Sequence, residues 1–168
     1  MSTITINREN AIAAYNQAEG TTRVMLGTLF GKQITNPDPC EIFKTWDDVA
    51  DAERIRTDDM PYKFPEKPAE RLANAAFKLA VIFEAFNKRT GDDFNEKWIP
   101  DYANKTQWKY YPWFEWSPSL GAFVYSRTCH TNTHTTLGAR LCTENDDYAT
   151  YIGKQFIDIW NEFLNPSK

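Results

Sequence analysis

Gln107-Trp108-Lys109-Tyr110-Tyr111-Pro112-Trp113-Phe114-Glu115-Trp116 is followed by Ser117-Pro118-Ser119-Leu120-Gly121 and then by Ala122-Phe123-Val124-Tyr125-Ser126-Arg127-Thr128-Cys129. Aromatic and β-branched residues dominate the two flanks, where a pleated, half-buried surface suits them, and the middle carries Ser, Pro and Gly turn chemistry. A second polar turn, Thr131-Asn132-Thr133, separates this pair from a third candidate strand, Thr136 to Cys142. The economical topology is a three-stranded antiparallel β-meander. On an alternating strand Trp108, Tyr110, Pro112, Phe114 and Trp116 share one face, while Lys109, Tyr111, Trp113 and Glu115 share the other. Both faces carry rings, although a half-exposed strand needs only one apolar face. The second set therefore either packs under another element or a sister subunit, or lines a surface where rings stack on a ligand.

Working outward, Thr143 with Asp146 three residues on has capping-box form, and Glu144, Asp146 and Asp147 suit the positive end of a helix dipole. Ala149, Ile152, Phe156, Ile159 and Phe163 give that final helix an apolar stripe, with Trp160 at its edge and Pro166 as its end. On the amino-terminal side Pro68 sits at a first helical position. Leu72, Ala75, Ala76, Leu79, Ile82, Phe83 and Phe86 then recur at steps of three and four, predicting a central core helix through about Lys88. Thr45-Trp46-Asp47-Asp48 predicts a shorter capped helix, and Glu9 to Ala18 with Thr21 to Phe30 predicts a helical hairpin capped at Thr21 or Thr22 and closed at Gly31. The fold class expected is α+β, with N-terminal helices packed against the meander and a C-terminal amphipathic helix. We expect one domain over residues 1–168, mainly helical over 1–90 and carrying the meander and last helix over 91–168.

Length and composition narrow the function classes. A chain of 168 residues can bury a core without disulfides or metal as staples. The net charge of -4 disfavours a general grip on nucleic acid, which requires Lys and Arg to neutralise phosphates. Cys40, Cys129 and Cys142 form an odd set behind a start with no basic or apolar leader, which predicts reduced thiols in the cytoplasm. Mean hydropathy is -0.60 and no apolar run approaches the span of a bilayer, so no membrane partner is expected. Eleven aromatic residues fall between Phe94 and Tyr125, which locates any ring-based recognition in the carboxy-terminal third.

Four motifs in order carry a resemblance: Trp98-Ile99-Pro100-Asp101-Tyr102, Lys109-Tyr110-Tyr111-Pro112-Trp113-Phe114, Gly138-Ala139-Arg140-Leu141-Cys142 and Tyr151-Ile152-Gly153-Lys154-Gln155-Phe156. Together the chain resembles a family of small, mostly uncharacterised proteins of phages and prophages of gut Bacteroidetes. The similarity extends to Ala11–Tyr15 and Leu29-Phe30-Gly31, while Lys88 to Phe94 is longer than the family's pattern. The resemblance implies a phage-type accessory protein in the host-cell cytoplasm and brings no catalytic residues with it.

Lys105, Lys109, Arg127 and Arg140 lie on or beside the meander, and rings with guanidinium groups can stack on a base and bind phosphate. The candidate ligand-binding residues are Trp108, Tyr110, Tyr111, Trp113, Arg127 and Arg140. Cys129, His130, His134 and Cys142 hold soft ligand types, yet adjacent strand residues point apart and no Cys-x-x-Cys knuckle occurs, so no metal and no cofactor are assigned. Gly-rich phosphate loops are absent. The expectation is a non-enzymatic binding protein that sequesters a small anionic or nucleotide ligand, such as a host immune signal, or blocks a host defence protein. Two alternatives stay open: an interaction protein whose second aromatic face is a homo-oligomer interface, and a hydrolase pairing Cys129 or Cys142 with His130 or His134.

Overall fold

A computed structural model describes residues 6–35, 37–90, 97–134 and 140–165. The architecture is α+β. Helices α1 (Arg8–Gln17), α2 (Gly20–Phe30) and α3 (Lys32–Thr35) form an amino-terminal cluster, followed by α4 (Pro39–Ile42), α5 (Trp46–Glu53) and the long α6 (Pro68–Asn87). Strands β1 (Lys109–Ser117) and β2 (Ala122–Thr131) make an antiparallel hairpin, and α7 (Asp146–Gln155) and α8 (Ile157–Leu164) close the chain.

Local chemistry accounts for most of these boundaries. Thr45 caps α5 as its Oγ1 accepts from the Asp48 N–H at 3.2 Å while the Asp48 carboxylate accepts from the Thr45 N–H. Pro68 opens α6, where a missing N–H costs nothing. The periodic stripe of α6 is the core: Ala75, Leu79, Ile82, Phe83 and Phe86 are buried against Phe43, Val49, Tyr148, Ile152, Phe156 and Trp160. Burial of that apolar surface is the main stabilising term of the fold. In contrast, α2 buries none of its residues, and Val24, Met25 and Leu29 face outward.

Four expectations are corrected. Among the described residues the sheet has two strands rather than three. Residues 135–139 of the expected third strand lie outside the described residues. Arg140 to Cys142 form a turn and bend, and pairing is limited to one bridge between Tyr110 and Thr143. The final helix is two helices, because the backbone leaves helical geometry at Phe156, φ -106° and ψ 31°. Its cap is Asn145, whose Oδ1 accepts from the Tyr148 N–H at 2.8 Å, while the Thr143 hydroxyl donates instead to the Asn145 carbonyl. Finally, α2 starts at Gly20, which takes φ 54°, after an extended Glu19, and no Thr21 or Thr22 side chain caps it.

A free strand edge is a template for unwanted pairing, and both edges of the hairpin are blunted. On the outer edge of β1, Tyr110 exchanges backbone hydrogen bonds with Thr143 at 2.9 and 2.8 Å. Outward-facing backbone groups alternate, so the next outward position is Pro112, which has no N–H to offer. On β2 the Asn161 side chain from α8 closes both groups of Phe123. Its Oδ1 accepts from the Phe123 N–H at 2.7 Å and its Nδ2 donates to the Phe123 carbonyl at 2.9 Å.

Candidate functional site

The register pairs Tyr111 with Cys129, Trp113 with Arg127 and Phe114 with Tyr125, with a bulge beside Ser126 that resets the alternation of β2. One face of the hairpin therefore carries Trp108, Tyr110, Pro112, Phe114 and Trp116 with Phe123, Tyr125, Thr128 and His130. The C-terminal helices, rather than the central helix, cover the middle of it, while Trp108 and Trp116 at its two ends are 46% and 47% exposed. Phe114 meets Trp160 at 4.8 Å between ring centroids, and Tyr125, Thr128 and Thr150 join their hydroxyls at 2.8–3.1 Å. Gly153 is required here. A Cβ on it would lie 2.6 Å from both Pro112 Cβ and Tyr125 Cδ2, so only glycine lets α7 approach β1 and β2 this closely.

The opposite face carries Tyr111, Trp113, Glu115, Val124, Arg127 and Cys129, and among the described residues no helix lies over it. Trp113 is 37% exposed, and the Arg127 guanidinium sits 5.9 Å from its ring centroid. A hydrogen bond to the Cys129 sulfur, then the charge it can carry, hold the Arg127 guanidinium above its ordinary value, with Glu115 adding to the effect. The result is an aromatic and charged surface that carries groups of both signs, Glu115 and Arg127.

Of the six residues proposed from sequence, the fold brings three together: Tyr111, Trp113 and Arg127. Trp108 and Tyr110 lie on the other face at its open end, where both rings contact the His130 imidazole at 4.8 and 5.7 Å. Arg140 is exposed in the turn before Cys142 and is not part of the hairpin. Lys109, expected as one of the surface cations, is fully buried. Its ammonium donates to main-chain carbonyls of the loop that precedes it.

The Cys/His set also divides. Cys129 lies on the uncovered face and His130 on the covered one, while Cys142 is 2% exposed with the Tyr102 hydroxyl 3.8 Å from its sulfur. Burial raises the Cys142 thiol above its ordinary value, against smaller opposing effects of Tyr102 and the Lys109 charge. Among the described residues no group of three or more His, Cys, Asp or Glu side chains is placed to hold a metal ion. No described helix is long and apolar enough to cross a membrane.

The motifs themselves meet in one place. Asp101 and Tyr102 of the first motif contact Lys109 of the second, Tyr102 also reaches Cys142 of the third, and Gly153 of the fourth packs on Pro112 of the second. Their side chains build the junction between hairpin and helices, which sequence spacing alone does not reveal. The chain matches no family model, no curated protein and no solved structure.

Proposed function

We propose that this chain is a non-enzymatic protein-binding module that uses the uncovered face of the β1–β2 hairpin. One observation carries the reading: Tyr111, Trp113, Arg127 and Val124 share the sheet face opposite the one on which Gly153 and Trp160 pack, and Trp113 and Arg127 on it are exposed. Tyr, Trp and Arg are the residue types that dominate binding energy at protein interfaces, because each combines a large contact area with a polar end. The cavity lined by Arg8, Glu41 and Lys44 and the smaller one lined by Arg71, Asp158 and Asn161 include none of Tyr111, Trp113, Val124 and Arg127. Small ligands are held in concave sites, which favours a macromolecular partner. The resemblance drawn from the four motifs sets this module among phage or mobile-element accessory proteins, with a host defence protein as its partner.

A photo-crosslinking residue in place of Trp113 tests the proposal, with the same residue in place of exposed Glu162 on α8 as the control. The expected outcome in host cells is a discrete adduct from position 113 that is lost when Arg127→Glu is added. Equal and diffuse labelling from both positions would overturn the reading. An adduct of twice the chain's own mass would instead favour the homo-oligomer interface. The Trp113–Arg127 pair supports a second reading, stacking of a nucleotide base with its phosphate on the guanidinium. A rise in Tm with one member of a nucleotide panel, abolished by Arg127→Ala, would favour that reading.

A further inference from the structure

Lys109 is the one lysine of the described chain with no exposed surface, and every atom its ammonium is bonded to is a backbone carbonyl oxygen. Nζ donates to the carbonyls of Asp101, Gln107 at 2.8 Å and Asn132 at 2.9 Å, with Asn104 at 3.4 Å, and the Tyr102 ring centroid lies 5.1 Å away. Such a charge, taken out of water, is tolerated only because dipoles and a π face replace its hydration shell.

The loop that supplies these carbonyls is also braced by its own side chains. The Asp101 carboxylate accepts from the Ala103 N–H at 2.9 Å, and Asn104 Oδ1 accepts from the Thr106 N–H and hydroxyl at 2.9 and 2.8 Å. Gln107 spans the loop, its Oε1 accepting from the Asp101 N–H at 2.6 Å and its Nε2 donating to the Ile99 carbonyl at 3.0 Å. Asn132 Nδ2 donates to the Lys105 carbonyl at 2.9 Å, which ties the turn after β2 to the same loop. These side chains consume the loop's outward backbone groups and leave the inner carbonyls converging on one point.

We propose that residues 101–107 and the Asn132 carbonyl form a monovalent-cation site whose resident cation is the ammonium of Lys109. Neutral carbonyls at 2.8–2.9 Å suit an ammonium or potassium ion. The Gln107 and Asn132 distances are long for magnesium or calcium, whose oxygen ligands lie at roughly 2.0–2.6 Å. Supplying the cation on the chain itself keeps the site filled whatever the ionic conditions. Because the next residue, Tyr110, is bridged to Thr143, the filled site also fixes where the hairpin leaves the helical body.

Chemical rescue tests this directly. Lys109→Ala empties the site and Lys109→Met fills its volume without charge. Each is melted in equal-ionic-strength chloride salts of N-methyl-glucamine, sodium, potassium, ammonium and ethylammonium. In glucamine both variants should melt below wild type. Ammonium or ethylammonium should raise Lys109→Ala by roughly 3–5 °C for each tenfold of cation above its Kd, while Lys109→Met and wild type stay unmoved. Hydrogen exchange at the Ala103 and Thr106 amides should slow with the rescue. If Lys109→Ala is unfolded in glucamine, recovery of its fold in ethylammonium is the expected result and no recovery overturns the proposal. So does a Lys109→Ala response equal to wild type, or a Lys109→Met protein that melts like wild type.

Discussion

The two faces of the hairpin are built from similar residues and meet different fates. Phe114, Pro112 and Tyr125 lie beneath α7 and α8, seated on Trp160 and Gly153, while Tyr111, Trp113 and Arg127 face away from every described helix. Ring content therefore does not set burial. What differs is complementarity: the covered face meets a glycine that admits α7 and a fully buried indole, and the other meets nothing in the described chain. The contrast separates residues that hold the fold from residues available to a partner.

The contrast breaks most sharply at Trp160. Trp160→Ala removes the largest side chain of the core from between Phe83, Phe114 and Phe163 and should cost about 3–5 kcal/mol in urea unfolding. A loss below about 1 kcal/mol would mean the covered face is not anchored there. Gly153→Val forces atoms into Pro112 and the Tyr125 ring, neither of which can swing aside cheaply, and should cost about 1–3 kcal/mol.

Thiol chemistry sharpens the same comparison. At pH 8 iodoacetamide should label Cys129 on the uncovered face. Cys142 and Cys40 should react at least about tenfold more slowly, because the thiolate is the nucleophile and burial disfavours it. Burial, then Asp38, pushes the Cys40 thiol up to about 12 from 9.0. Between these two values the folded chain binds more protons than the unfolded one, so this contribution is present below pH 9 and is lost as pH rises toward 12. Denaturant midpoints measured from pH 8 to 11 should fall, and fall less in Cys40→Ala. The smallest effect is expected outside: Trp113→Ala and Arg127→Ala should each change stability by no more than about 0.5 kcal/mol, and Arg127→Ala should abolish the adduct formed by the crosslinking residue at position 113.

Much of the helical scaffold was legible because its signals are local. The Thr45 cap, the Pro68 start and the stripe from Leu72 to Phe86 each depend on residues a few positions apart, and each stands where the spacing puts it except Leu72, which is exposed in the first turns of α6. The break at Phe156 was not legible, since the apolar stripe runs through it without interruption. Thr143 looked like a cap and is a strand-edge partner of Tyr110, because its backbone rather than its hydroxyl makes the decisive bonds. Half of the candidate site was legible: alternation placed Tyr111 and Trp113 together, but pairing Arg127 with them rather than with Tyr110 depended on the register and the bulge.

The sequence by itself determined that this chain is α+β, that α6 is the core helix, and that β1 carries rings on both of its faces. All of these follow from periodicities of a few residues. Only the tertiary structure decided which ring face is covered and that Lys109 is a buried cation rather than a surface one. The physical reason is the same for both. Sidedness depends on which distant helix returns to the sheet, and the groups that hold Lys109 are main-chain carbonyls, which every residue possesses and no residue type announces.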